Sequence, residues 1–263
     1  MNPVFSVITV SFNSEDTIEE TINSVLSQRD INYEYIIIDG KSTDKTYSII
    51  NKYSENIDKI ISEKDNGLYD AMNKGIALSR GKYISIINSD DYYTNNHVLY
   101  DVMNVFSKED VDTVFGNIYY FNKKNKNIIT RAWKASQFNK GSFVKGWHPP
   151  HPAFIVKKSL YDKIGVYNTN YKIVSDYDFM LRAFEINQIS SYHIDNYLIA
   201  MREGGISTKN IFSRLLTLYE LRLVLKKNGI RVNFIMFCIN RLVPKIINKV
   251  KAFLYKLNAN TKS

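Results

Sequence analysis

With one cysteine, Cys238, the 263-residue chain cannot form an internal disulfide, which fits a reducing compartment. Residues Met1 to Val10 lack a basic head, a long apolar run and a small-residue cleavage site, so no secretory signal is read and cytoplasmic residence is expected. No run of about 20 apolar residues escapes interruption by Asn, Lys or Arg, which argues against a membrane-spanning helix. No Gly-x-Gly-x-x-Gly follows the first apolar run, which argues against a dinucleotide oxidoreductase. The histidines show no zinc-site spacing, and neither an internal repeat nor a low-complexity linker divides the chain.

Acidic residues are scarce in one place only. From Lys209 to the end, twelve of the 35 Lys and Arg residues accompany a single one of the 26 acids, Glu220, while the remainder is close to balance. The formal net charge of +9 therefore belongs to the tail. A local basic segment implies an anionic partner, phospholipid or nucleic acid, for that segment alone.

What is there, in the first half, is an alternation of short apolar runs and amphipathic stretches, the pattern of βαβ units feeding a largely parallel sheet. Val4 to Val10 reads as a buried strand, and Ser14 to Asp16 supply a capping oxygen and acids for a helix with Ile18, Ile22, Val25 and Leu26 on one face. Tyr33 to Ile38 reads as a second strand ending at Asp39 and Gly40, with Ser42 or Thr43 capping a helix that turns Ile49, Ile50 and Tyr53 inward. Asp58 to Ser62 is a third, followed by a turn at Asp65, Asn66 and Gly67, a helix with Leu68, Met72 and Ile76 inward, and a stop at Gly81. Tyr83 to Ile87 is a fourth strand, delivering Asn88, Ser89, Asp90 and Asp91 to its carboxyl end, where ligands bind in open α/β sheets. The second half is less regular: strands over Val111 to Phe121, Ala153 to Val156 and Tyr192 to Met201, and a helix over Asp176 to Asn187. Residues 1–208 are read as one α/β domain and 209–263 as a helical tail of separate character.

A pair of carboxylates at the end of a buried strand is costly unless a cation or donors neutralise it, so Asp90 and Asp91 suggest a metal. Oxygen-only ligands without nearby Cys or His favour Mg2+ or Mn2+. The same pair also reads as a cap on the next turn.

Read together, the segments resemble the family 2 glycosyltransferases with the GT-A fold. The pieces that carry the resemblance are Thr9-Val10-Ser11-Phe12-Asn13; Ile38-Asp39-Gly40 with Ser42, Thr43 and Asp44; Glu63-Lys64-Asp65-Asn66-Gly67 with Ala71, Asn73 and Gly75; Asn88-Ser89-Asp90-Asp91; Ser175-Asp176-Tyr177-Asp178 with Arg182; and Gly204-Gly205-Ile206-Ser207. The resemblance implies a GT-A sheet over roughly the first 208 residues and a nucleotide-sugar donor, UDP-sugar by expectation. Asp39 would accept from the imide of a uracil-like base, with Thr9, Ser11 and Asn13 lining the nucleotide pocket and Asp65 closing it. The family's Asp-x-Asp motif falls on Asn88-Ser89-Asp90, so its first acid is an amide here. Asn88 and Ser89 are therefore expected at the nucleotide and the metal at Asp90, with Asp91 in support. Asp176 matches the family's general base, one of which suffices for a single inverting displacement. Asp39 also reads as a turn residue before Gly40, and Asp65 and Asp176 as helix caps.

Trp147 could stack on a sugar, His148 or His151 could donate to a phosphate or hydroxyl, and Asp178 and Arg182 are the remaining candidates for acceptor binding. The tail threads Phe212, Leu215, Leu218, Tyr219, Leu223, Phe234 and Ile246 among Lys and Arg, the composition of a basic amphipathic helix lying on an anionic membrane at its cytoplasmic face. Packing against the catalytic domain is the competing reading. The expectation is a peripheral-membrane transferase acting on a glycan or lipid-linked acceptor, with no nucleic-acid partner. The alternative is a non-catalytic nucleotide- or lipid-binding scaffold, suggested by the missing acid at Asn88.

Overall fold

The computed structural model describes residues 2–204 and 211–241. Four β-branched, apolar segments form parallel strands: β1 (Phe5–Ser11), β2 (Tyr33–Asp39), β3 (Lys59–Ser62) and β4 (Tyr83–Asn88). Their side chains alternate between two apolar layers. Ile8, Val10, Ile36, Ile38, Ile84 and Ile86 enter one, while Phe5, Val7, Tyr35, Ile37, Tyr83 and Ile87 enter the other. Each fully buried Ile contributes roughly 1.5–3 kcal/mol, so these runs are stable only with both faces covered. Helices α1 (Ile18–Leu26) and α4 (Val98–Lys108) cover one face, and α3 (Leu68–Leu78) and α6 (Ser175–Leu181) the other.

The second half extends the sheet with mixed polarity. β8 (Phe154–Lys157) runs antiparallel to β4 and to β6 (Thr113–Asn122), β6 pairs parallel with β9 (Ser191–Arg202), and β9 pairs antiparallel with β5 (Tyr92–Tyr93). The strand order is β3-β2-β1-β4-β8-β6-β9-β5, with β7 (Asn125–Trp133) added on β6. β5 lies at the far end of that path, yet only Ser89, Asp90 and Asp91 separate it from the end of β4. The sheet must therefore curl, and those residues mark where it closes on itself. This is the α/β architecture expected of a GT-A domain, a mixed sheet flanked by helices.

Several local expectations are corrected. Ser14 does not cap α1 through its hydroxyl, which pairs with Ser89 at 2.7 Å; its carbonyl receives the amides of Thr17 and Ile18 instead. Ser42 is drawn to Asp39, and Asp44 receives the Thr46 amide that opens α2 (Thr46–Asn51). α4 has a plain signal, Val98, Val102 and Phe106 spaced four apart, but was not anticipated. Neither were α5 (Ser159–Ile164) and β7, whose exposed Asn-Lys-rich start carries no alternation to read. The helix expected over Asp176 to Asn187 is present: α6 (Ser175–Leu181) passes directly into a wider π-helical turn over Arg182–Ile186.

The tail is not separate over its described part. α7 (Ile211–Lys227) buries Leu221, Val224 and Leu225 in the core cluster that holds α3 and α6, and Phe237 joins them. The boundary expected after residue 208, the Gly205-Ile206-Ser207 motif and the apolar residues from Ile246 onward lie outside the described residues. Among the described residues no helix is long and apolar enough to cross a membrane.

A buried carboxylate fixes the entry to β4. Glu34 on β2 accepts from Ser6 Oγ at 2.6 Å, from Arg80 Nε at 2.8 Å and from the amide of Gly81 at 3.2 Å. A Cβ on Gly81 would stand 2.4 Å from the Ser6 nitrogen, inside backbone that cannot move aside. We expect Gly81→Ala to lower the urea midpoint by the equivalent of roughly 1–3 kcal/mol, with an unchanged slope.

Candidate active site

Parallel register brings Ser11, Asp39 and Ser62 abreast at the carboxyl ends of β1, β2 and β3, with Asn88 paired to Val10 on the other side. Asp39 is fully buried. One carboxylate oxygen accepts from the hydroxyls of Ser42 and, at 3.3 Å, Ser11; the other accepts from Ser62 Oγ at 2.6 Å and from the Ser42 amide at 3.0 Å. Asn13, in left-handed conformation at φ 47°, continues the lattice: its amide donates to Ser42 Oγ at 2.9 Å and its side-chain oxygen accepts from the Thr43 amide at 2.9 Å. Asp65 comes to the same corner, its carboxyl so close to Gly40 that a Cβ there would lie 2.5 Å from Oδ2. Thr9 does not reach this edge. It is buried in the core and pairs with Tyr35 Oη at 3.0 Å, which removes it from the expected nucleotide pocket.

At the closing point of the sheet, Ser89 and Asp91 are buried and Asn88 and Asp90 half-buried. Thr21 anchors the segment by donating to the Asp91 carbonyl at 2.7 Å. Asn88 donates to Asp91 Oδ2 at 3.1 Å, but Oδ1 of Asn88 and Oδ1 of Asp91 are buried without a hydrogen-bond partner. Burial raises the pKa of Asp90, against the opposing charges of Arg202 and Lys123. Burial and the Asp90 charge together push Asp91 well above the usual carboxylate range. Buried acceptor oxygens without donors, beside a half-exposed carboxylate, form the oxygen set that a hard divalent cation or its bound water would satisfy. Among the described residues no group of three or more His, Cys, Asp or Glu side chains gathers, so such an ion would be completed by water or phosphate.

Asp176 stands half-buried in the first turn of α6, facing α3. Tyr69 Oη lies 3.0 Å from Asp176 Oδ1 and 2.7 Å from the Ile173 carbonyl, one phenolic proton between two acceptors. Burial, and then the Asp176 charge, hold Tyr69 protonated far above its ordinary range. His151 Nε2 lies 2.9 Å from Tyr167 Oη, and burial keeps the imidazole neutral in spite of the charge on Asp176. Asp65 stands in the turn that leads into α3 and Tyr69 in the first turn of that helix, so one short stretch of chain reaches both the Asp39 corner and Asp176.

Residues 6–175 match the sequence family described as Glycosyl transferase family 2. The chain belongs to that family. It is similar to a PGL/p-HBAD biosynthesis glycosyltransferase of Mycobacterium bovis, 26% identical over 94% of this chain and 93% of the relative. It is also similar to the Escherichia coli UDP-Glc:alpha-D-GlcNAc-diphosphoundecaprenol beta-1,3-glucosyltransferase WfaP, 28% identical over 89% and 90%. The fold matches Staphylococcus aureus TarS in complex with UDP at a TM-score of 0.66 and 20% identity, over 87% of this chain and 66% of that one. It matches the Pyrobaculum calidifontis mannosyltransferase PcManGT, in complex with GDP-Man and Mn2+, at 0.61 and 16%, over 86% and 64%. The protein is a glycosyltransferase, and the scaffold alternative raised by Asn88 gives way to that membership.

Three residues expected at the acceptor do other work in this family 2 glycosyltransferase. Trp147 packs its ring among Phe115, Phe138, Phe143 and Phe184 and donates from Nε1 to Ser136 at 3.0 Å, so its face serves the core. Asp178 is buried, accepting from Arg182 Nε and from Asn228 Nδ2, each at 3.0 Å. Arg182 spends its remaining donors on the carbonyls of Ile164, Gly165 and Val166. His151 alone of the expected acceptor set stays beside Asp176. Residues missed in the sequence are the distant partners: Ser62 at Asp39, Tyr69 and Tyr167 around Asp176, and Arg202 near Asp91. Only long-range pairing brings them in, and hydroxyl residues without a spacing rule leave no signal. Arg182→Met should destabilise the protein by roughly 3 kcal/mol or more, since it strands the buried Asp178, while the KM for the acceptor in the folded fraction stays unchanged. Thermal melting alongside steady-state kinetics separates the two effects.

Proposed function

We propose that the protein transfers a sugar from a nucleotide diphosphate sugar, most simply a UDP-sugar, to a hydroxyl of a lipid-linked or surface-glycan acceptor, with inversion. The observation that carries the reading is the row of Ser11, Asp39 and Asn88 at the parallel strand ends, with Asp176 held by Tyr69 from the first turn of α3. A uracil-like base would meet Asp39, Ser11 and Asn13, with Asp65 across the corner. The ligation of UDP by TarS and the lipid diphosphate substrate in the WfaP name support this choice of donor and acceptor class.

In this reading Asp90, supported by Asp91 and by the amide oxygen of Asn88, would hold Mn2+ or Mg2+, whose charge would offset that of the departing diphosphate. Asp176 takes the proton from the acceptor hydroxyl as the oxygen bonds to the anomeric carbon and the bond from that carbon to the diphosphate breaks. Tyr69, held protonated, donates to the carboxylate and fixes which oxygen faces the acceptor. His151, neutral, offers a hydrogen bond in the same space.

The outward face of α7 supports the membrane side of the proposal. Ile211, Phe212, Leu215 and Tyr219 are exposed, Phe212 at 80%, and Arg222 and Lys226 fall on the same face of the helix. Apolar insertion and attraction to anionic headgroups then act together. This would hold the enzyme at the cytoplasmic surface where a lipid-linked acceptor is met.

Asp176→Ala is expected to cut transfer by roughly 100-fold or more with the melting temperature and UDP affinity retained. Asp90→Ala should abolish the gain in UDP affinity on adding Mn2+, read by calorimetry. Wild-type rates in Asp176→Ala, or UDP binding indifferent to both the metal and Asp90, would contradict the respective assignment. Replacing Phe212 and Leu215 by Ser should weaken co-sedimentation with phosphatidylglycerol vesicles about tenfold or more.

A further inference from the structure

α7 carries the tail's only acid, Glu220, and buries it. Its carboxylate accepts from three consecutive backbone amides, Lys172 at 2.8 Å, Ile173 at 2.9 Å and Val174 at 3.3 Å, immediately ahead of α6. Val174, which caps α6, has no side-chain capping bond of its own. A helix start left without acceptors is a loose start. Here Glu220, on a helix more than forty residues downstream, accepts from the cap amide of Val174 and holds the two residues that lead into it.

The peptide so held is the one that orients Tyr69. In the peptide between Ile173 and Val174, the Val174 amide donates to Glu220 at 3.3 Å, and the Ile173 carbonyl receives the Tyr69 hydroxyl that also bonds Asp176. Eight residues past Glu220, Asn228 donates to Asp178 at 3.0 Å. The tail, through Glu220 on α7 and Asn228 in the turn that follows it, thus grips the chain on both sides of Asp176, at 172–174 and at 178. A merely apolar contact through Leu221, Val224 and Leu225 would dock α7 without this. Burying a carboxylate costs several kcal/mol unless donors satisfy it, so Glu220 is not a passive filler.

We propose that Glu220 is a positioning residue for transfer: it fixes the peptide of Ile173, and through Tyr69 the orientation of Asp176, making α7 a working part of the acceptor side of the active site. The inference rests on the reading of Asp176 as the base.

The test compares Glu220→Ala, Glu220→Gln and Tyr69→Phe in the full chain, each also combined with Asp176→Ala. Folding is followed by thermal melting and the nucleotide corner by UDP calorimetry. In folded Glu220→Ala we expect kcat to fall roughly 10- to 100-fold, with UDP affinity and donor KM within about twofold, because misplacement touches the base and not the Asp39 corner. Glu220→Gln keeps an acceptor oxygen and should recover part of the loss, and Tyr69→Phe should lower kcat in the same manner. On the Asp176→Ala background neither change should cost more. Wild-type kcat in folded Glu220→Ala, or a full additional loss on the Asp176→Ala background, overturns the proposal while leaving the base in place. Should Glu220→Ala fail to fold, wild-type kcat in Tyr69→Phe overturns it equally. Wild-type kcat in Asp176→Ala itself would instead remove the underlying assignment of the base.

Discussion

A carboxylate withdrawn from water has to be met by donors or by a cation, and this structure is organised around how that demand is satisfied at each site. Glu34 takes Ser6, Arg80 and the turn at Gly81 and fixes the entry to β4. Asp39 takes hydroxyls from three separate segments and so builds the corner expected to hold a nucleotide base. Asp178 and Glu220 secure α6 from two sides. Asp91 is the exception: one of its oxygens is buried without a partner, at the point where the sheet closes. The structural sites are satisfied within the chain, and the unsatisfied one sits where a charged ligand would arrive.

The curl of the sheet supplies the geometry for this. An open doubly wound sheet would leave the second half remote from the strand ends of the first. Pairing β5 with β9 returns the chain to the Asn88–Asp91 segment and brings Arg202 near both carboxylates. Antiparallel β8 beside β4 then lets the loop before it, with His151, lie next to α6. The proposed site is thereby shared between a regular half and an irregular half.

Legibility in the sequence followed the same division. β1 to β4 were readable because strands buried on both faces must be continuously apolar, and α1 and α3 because their inward residues recur at helical spacing. β7 begins exposed and polar, with nothing to read, while α4 carries Val98, Val102 and Phe106 at helical spacing. Thr9, Trp147, Asp178 and Arg182 carried the right chemistry for a site, but the fold uses them internally: a hydroxyl meets Tyr35, an indole joins an aromatic cluster, and an ion pair closes on loop carbonyls.

Burial and periodicity are properties of consecutive residues, so the sequence alone carries which segments are buried, where their carboxyl ends fall, that Asp39, Asp65, Asp90 and Asp91 stand at or beside such ends, and that Asp176 opens a helix. Tertiary structure alone decided which of those acids are already satisfied, that Tyr69 bridges to Asp176, and that a basic tail read as a separate piece lends its one acid to α6. Hydrogen bonds between residues far apart in the chain depend on packing, and packing is a property of the folded whole rather than of any stretch of sequence.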